Sequence, residues 1–353
     1  MSLEKLRKRI DLLDAKLIGI LNLRARITKE VGKIKIKAGK SIYVPEREAQ
    51  VLQKISILNK GPLARSALAA IYREVMSASL ALEKALKITY LGPRASFTNL
   101  AALKKFGSQV SYLACNSIAD VFSEVERGSA DYGVVPIENS IEGAVSHTLD
   151  VFVDSDLKIC SQLTLEVVQN LLANCPRNKI KRIYSILYVF GQCRSWLQKN
   201  LPNAELVEVS STTRAAEIAR KEKNSAAIAS LLASEVYGLK VLDKDIQDSL
   251  HNVTRFLVVG KESAAKTGYD KTSLLFSIKD HVGALYETLL PFRKYGVNLT
   301  KIESRPSKKK AWEYYFFVDI CGHQEDVKIK RALKELEKKC NYLKILGSYP
   351  VGE

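Results

Sequence analysis

The sequence predicts a multidomain fold with an all-helical unit first, a two-lobed α/β unit next, and a small α+β unit of ferredoxin-like order last. Three observations carry this. Apolar residues recur at alternating spacings of three and four from residue 3 to about 38. Short β-branched runs alternate with helical stretches from 88 to about 262. Residues 271–350 then read strand, helix, strand, strand, helix, strand. The expected domain bounds are 1–87, 88–264 and 270–353.

In the first unit the apolar seam is Leu6, Ile10, Leu13, Leu17, Ile20, Ile27, Val31 and Ile34, with Arg24 where a further apolar residue is due. A helix of that length, roughly 50 Å, cannot cover its seam within 87 residues, so a second chain is expected against it. Pro45 followed by Glu46 and Glu48 starts a second helix. Gly61-Pro62 ends it and opens a third, expected to run to about Leu86. In the second unit Lys87–Leu91, Tyr132–Ile137 and Phe256–Val259 read as buried strands, as do Ile183–Val189 and Ala226–Ala229, each followed by a helix. Lys261–Asp270 is a polar linker. In the third unit Leu274–Ile278 and Tyr315–Ile320 are strands, and a helix begins at Gly283.

Composition narrows the function. No run of about 18 apolar residues occurs, and Lys and Arg alternate with Leu and Ile at the N-terminus, so neither a membrane span nor a signal peptide is expected. Six scattered cysteines without a C-x-x-C pair fit free thiols in a reducing cytoplasm. Four isolated histidines show no metal-ligand spacing, so no metal and no cofactor are expected. The net charge is +17, and residues 1–87 hold 19 Lys+Arg against 8 Asp+Glu, a local excess of +11. Such a segment binds nucleic acid or attracts a small anion. The single arginine in an apolar seam favours the small anion.

Arg24 and Lys35 are 11 residues apart, hence about 20° apart around one helix and about 16 Å along it. Their long cationic side chains can converge on one ligand. Arg7 is roughly 25 Å from Arg24 and reaches that ligand only from an antiparallel partner. Arg47-Glu48 starts the second helix, and Ser79 and Glu83 share one face of the third. These residues at these spacings resemble the all-helical type of chorismate mutase. The resemblance implies that Arg24 and the partner subunit's Arg7 hold the two carboxylates of chorismate. Lys35 and Glu83 then contact the ether oxygen, Glu48 contacts the ring hydroxyl, and Arg47 and Ser79 complete the site. Val44 departs from the family, where some members carry Asp. A concerted rearrangement needs the reactive conformer and stabilised charge on the ether oxygen, so Glu83 must be protonated to donate there.

Thr254-Arg255-Phe256 sets a hydroxyl and a guanidinium at the mouth of a buried strand, and Glu138-Asn139-Ser140 follows another strand in the same way. Asn252–Phe256 and Val135–Ser140 together resemble prephenate dehydratase, whose fold implies a two-lobed, periplasmic-binding-protein-like unit. Gly92–Thr98, Gln192-Cys193, Ser211-Thr212 and Tyr237-Gly238-Leu239 also fall where that family has them. By resemblance Thr254 aids departure of the ring hydroxyl of prephenate, with Asn139 and Gln192 orienting substrate. Ser96, Thr98, Ser211, Thr212 and Arg255 are further binding residues, although Arg255 fits a structural ion pair equally well. The departures are Ser185-Ile186-Leu187-Tyr188 for Ser-His-Pro-Gln, Asn99 for His, and Ala95 for Gly.

Gly283-Ala284-Leu285 at a helix start, with Glu303-Ser304-Arg305-Pro306 after the next strand, resembles the ACT domain of phenylalanine-inhibited dehydratases. That implies an allosteric site for phenylalanine between two subunits, built from Gly283, Ala284, Leu285, Asn298, Glu303 and Ser304. The whole chain thus resembles the bifunctional chorismate mutase–prephenate dehydratases. It is expected to be a cytoplasmic homodimer or higher homo-oligomer with no nucleic-acid or membrane partner. The runner-up is an active mutase whose dehydratase unit serves only as an amino-acid sensor.

Overall fold

The computed structural model describes residues 2–249, 251–279, 281–307 and 313–351. Three helices form the first unit: α1 (Leu3–Lys37), α2 (Pro45–Leu58) and α3 (Arg65–Glu83). Ser2 caps α1, and Pro45 stands at the start of α2. The third helix stops at Glu83, three residues before the expected end. Leu86 is instead buried in the core of the next unit, only 2% exposed, which pulls the chain out of the helix. Gly32 is where α1 meets α3: a Cβ there would lie 2.9 Å from the Glu83 backbone. That missing side chain lets the two helices close on each other.

The middle unit has two lobes. The first contains β1 (Lys87–Leu91), α4 (Phe97–Phe106), β2 (Ser111–Cys115), α5 (Ile118–Glu126), β3 (Tyr132–Asn139), β4 (Gly143–Ala144), α6 (Ser146–Asp154) and β5 (Lys158–Glu166). The chain then crosses to β6 (Asn170–Ala173), β7 (Arg182–Ser185), α7 (Leu187–Gln192), α8 (Arg194–Asn200), β8 (Glu205–Glu208), α9 (Thr212–Lys221), β9 (Ser225–Ala229), α10 (Leu231–Tyr237) and β10 (Lys240–Asp243). It returns as β11 (Val253–Gly260), which pairs antiparallel with β3 and β5. The first sheet is ordered β2-β1-β3-β11-β5 and the second β10-β6-β9-β7-β8. The two crossing segments bond to each other through Val167 N–H to Asn252 O at 2.8 Å, so they form the hinge.

One expectation fails here. The run Ile183–Val189 is not a single strand: β7 ends at Ser185, and Leu187 begins a helix. Val189, Phe190, Cys193 and Leu197 are all buried in the second lobe, a spacing of helical period that outweighs local β-propensity.

The last unit is β12 (Asp270–Ile278), α11 (Ala284–Lys294), β13 (Leu299–Pro306), β14 (Tyr314–Cys321), α12 (Val327–Glu337) and β15 (Cys340–Pro350). Its sheet order, β13-β14-β12-β15, is the ferredoxin-like one expected. This sheet packs on the first lobe through a shared core that includes Ile137, Phe152, Leu257, Leu275, Phe317 and Tyr349. Lys344 adds to the contact by donating to the carbonyls of Phe152, Val153 and Ser155 around the C-terminus of α6. No helix of the described residues is long and apolar enough to cross a membrane.

Candidate functional site

The three helices of the first unit enclose a cavity of about 580 Å³ lined by Arg24, Lys35, Arg47, Glu48, Ser79 and Glu83 among apolar neighbours. Arg24 donates through Nη1 to Ser79 Oγ. Lys35 Nζ lies 2.8 Å from Glu83 Oε2 and 2.7 Å from the carbonyl of Ile42. Glu83 is 7% exposed at its side chain, so this ion pair is well screened from solvent. Three cations and two carboxylic side chains thus face one apolar-walled space, an arrangement that suits a small anionic ligand. Val44 lines the same cavity and adds no polar contact. Arg7 does not reach it: the residue is exposed near the free end of α1, outside the cavity of its own chain.

Two residues escaped the sequence reading. Tyr43 donates its hydroxyl to Glu48 Oε2 at 2.8 Å, and Lys105, from α4 of the middle unit, pairs with the same oxygen at 2.7 Å. Burial first, and Glu48 second, push the Tyr43 phenol well above its ordinary range, so it stays a donor. No spacing rule links position 48 to position 105.

The second site lies where the lobes meet. Parallel β1 and β3 bring the loop 92–96 and Asn139 to one edge of the first sheet. Parallel β7, β8 and β9 bring Ser185, Ser211 and Ser230 to one edge of the second. The hydroxyl of Ser230 donates to Ala95 O at 3.1 Å, which sets the two edges against each other. Asn139 and Thr254 are directly paired across β3 and β11, and Asn139 Nδ2 donates to Thr254 Oγ1 at 2.8 Å and to Asn252 Oδ1 at 2.8 Å. Asn252 is 3% exposed, and its own Nδ2 has no partner. An orphaned buried donor beside Thr254 is what a bound ligand would satisfy, and Asn252 is the member of this site not singled out before. Ser96 caps α4 from the first lobe and Ser211 caps α9 from the second, with Thr98 and Thr212 buried in their first turns. Both helix starts offer backbone amides to an anion. Gln192 ends α7, and its carbonyl accepts from Asp248 N on the return crossing at 2.7 Å. Its buried Oε1 is unpartnered.

One of the departures has a visible structural role. Asn99 Oδ1 accepts from Ala95 N at 2.9 Å and holds the 92–96 loop. Tyr188, in the first turn of α7, is 45% exposed, and partial burial with the charge of Glu142 on the opposite lobe pushes its phenol up.

Arg255 takes part in an ion-pair network, one of the two roles the sequence left open for it. Neighbouring residues on a strand point to opposite faces, so Arg255 turns away from Thr254 and into the third unit. It pairs with Asp319 at 2.7 Å and Glu138 at 3.5 Å. Glu138 also meets Lys301 at 3.1 Å, and Arg305 meets Asp150 at 3.4 Å. Arg255 therefore links the middle unit to the third.

In the third unit Gly283 caps α11 at φ 82°, a conformation that suits glycine, with open space where a Cβ would be. Ala284 is buried and Leu285 exposed. On edge strand β13, Glu303 shares a face with Lys301 and Arg305, and Ser304 points to the exposed side. Asn298 is exposed, with a weak contact to Cys321 Sγ at 3.9 Å. Among the described residues no hydrogen bond joins the helix start to Glu303 or Ser304.

Comparison with known proteins matches three family models in order: chorismate mutase type II over 6–84, prephenate dehydratase over 88–264 and the ACT domain over 272–338. A bifunctional chorismate mutase/prephenate dehydratase of Aquifex aeolicus is 51% identical over 99% of this chain and 98% of its own length. One from Pseudomonas aeruginosa is 45% identical over 99% and 97%. Among solved structures, a prephenate dehydratase from Arthrobacter aurescens in complex with L-Phe aligns with a TM-score of 0.70 at 36% identity, covering 75% of this chain and 90% of that one.

Proposed function

We propose the residue roles below from one premise: this chain belongs to the bifunctional chorismate mutase/prephenate dehydratase family. The observation that carries the first half is the convergence of Arg24, Lys35, Glu48, Ser79 and Glu83 on one cavity. Arg24 binds one carboxylate of chorismate and the partner subunit's Arg7 the other, which folds the ligand into its reactive conformer. Lys35 and protonated Glu83 then place two donors on the ether oxygen, where charge grows as the C–O bond breaks. Glu48 accepts from the ring hydroxyl. In the free chain Lys35 and Glu83 hold each other, which fixes both side chains at the wall of the cavity.

Prephenate then loses carbon dioxide and water to give phenylpyruvate. Asn139 donates to Thr254 Oγ1, which leaves the Thr254 O–H for the departing ring hydroxyl. Asn252 and Gln192 supply further polar groups, and the starts of α4 and α9 attract the carboxylates. The ACT domain binds phenylalanine at Gly283–Leu285, Asn298, Glu303 and Ser304 and lowers dehydratase activity by favouring one arrangement of the units. The reactions need no cofactor, and the site of action is the cytoplasm. Incubation of the purified protein with chorismate is expected to yield prephenate first and phenylpyruvate after it, by timed chromatography. Prephenate that accumulates and decays only at its spontaneous rate would instead favour a mutase joined to a non-catalytic sensor.

The assembly is a homodimer formed along α1. Leu13, Leu17, Ile20, Ile27 and Ile34 are each more than half exposed in the single chain, an apolar stripe of the kind that marks an interface. Two-fold symmetry brings Arg7 of the partner subunit toward the cavity. Arg7→Ala and Arg24→Ala proteins are each expected to lack mutase activity. Unfolded, mixed and refolded together, they are expected to recover about a quarter of wild-type activity, since half the dimers are mixed and each holds one intact site. No recovery would mean that each site is built from one chain.

A further inference from the structure

We propose that Lys105, a residue of the dehydratase unit, is a positioning residue of the mutase site. The proposal rests on the reading of the helical cavity as that site. Glu48 lines the cavity, and among the described residues both polar contacts of its carboxylate fall on Oε2: Tyr43 OH at 2.8 Å and Lys105 Nζ at 2.7 Å. Oε1 is thereby left as the oxygen that accepts from a ligand. Lys105 is not among the cavity-lining residues, so it acts behind Glu48. The pair is sheltered, with 15% of the Lys105 side chain and 13% of the Glu48 side chain exposed. A carboxylate this enclosed is held to one rotamer by such a charge partner.

The surroundings fix the lysine as firmly as the carboxylate. Lys105 Nζ sits 5.9 Å from the centre of the Tyr43 ring. Tyr43 itself is wedged against Phe106 and Tyr132 of the dehydratase unit, with ring centres 4.9 and 5.2 Å away. The hydroxyl of Tyr132 donates to the Tyr43 carbonyl at 3.3 Å. Ser108 and Gln109, just past α4, donate to Glu74 and Ser77 of α3. The helix that carries Lys105 begins at Ser96 and Thr98, beside the dehydratase cleft. A single ten-residue helix, about 15 Å long, thus touches both active sites.

Glu48 contacts the ring hydroxyl, away from the bond that breaks, so its misplacement weakens ground and transition states alike. In the full-length protein, Lys105→Met is expected to raise the KM for chorismate about tenfold or more, with kcat changed less than about threefold. Lys105→Arg is expected to restore most of the affinity. In a Glu48→Gln background, Lys105→Met is expected to add no further KM increase, since the charge it neutralises is gone. Turnover of prephenate supplied directly is expected to stay at the wild-type level and reports that α4 remains folded. A Lys105→Met protein with wild-type mutase kinetics, or one that loses both activities together, would overturn the proposal. Wild-type protein that turns over prephenate but not chorismate would overturn the reading of the cavity and the proposal with it.

Discussion

Replacing Glu83 by alanine is expected to lower mutase kcat by about 10²–10³-fold, the usual cost of removing one donor to a developing oxyanion. Glutamine at the same position is expected to keep most of the rate. The reason lies in the geometry around the carboxyl. Glu83 is held in the cavity by the close approach of α1 and α3 at Gly32, and its Oε2 is 2.8 Å from Lys35 Nζ. Alanine removes the donor and leaves Lys35 with only the Ile42 carbonyl. Glutamine supplies an N–H in nearly the same place. A glutamine variant as slow as the alanine one would show that Glu83 is not the donor.

Thr254→Val is expected to cost about 10²–10⁴-fold in dehydratase kcat, the range for losing a positioned proton donor, and to leave mutase turnover unchanged. Valine keeps the shape of threonine, so the strand and its neighbours stay in place. What disappears is the oxygen that accepts from Asn139 Nδ2 and the proton that oxygen carries. Thr254→Ser is expected to retain far more activity, because it keeps both. Steady-state assays with purified prephenate decide the matter. A valine variant that keeps a tenth or more of the wild-type kcat would assign the hydroxyl only a binding role. The same assays bear on Tyr188, since an active wild-type dehydratase would mean that the Ile186-Leu187-Tyr188 segment is compatible with turnover.

How much of this was legible beforehand depended on the element. Helix geometry fixes both angle and rise, so Arg24 with Lys35, and Ser79 with Glu83, can be placed on common faces from spacing alone, and they do meet in one cavity. Strand geometry gives only alternation. It puts Thr254 and Arg255 on opposite faces but does not say what lies under Arg255, and Asp319 is 64 residues away. The run Ile183–Val189 misled for a related reason: a short apolar stretch reads equally well as a strand or a buried helix start. Whether its second half continues β7 or turns into α7 is decided by the core of the second lobe.

The sequence by itself determined the order and class of the three units, the helical face that carries the mutase side chains, and the two strings that hold Asn139 and Thr254. Each of these is a local property, set by periodicity and by residues close together in the chain. Only the tertiary structure decided that Asn252 is left with an unsatisfied amide, that Arg255 ties two units together, and that Lys105 of one enzyme holds Glu48 of the other. Those contacts join residues tens of positions apart. They are fixed by how buried faces pack and by the cost of leaving a charge or a donor unpaired away from water.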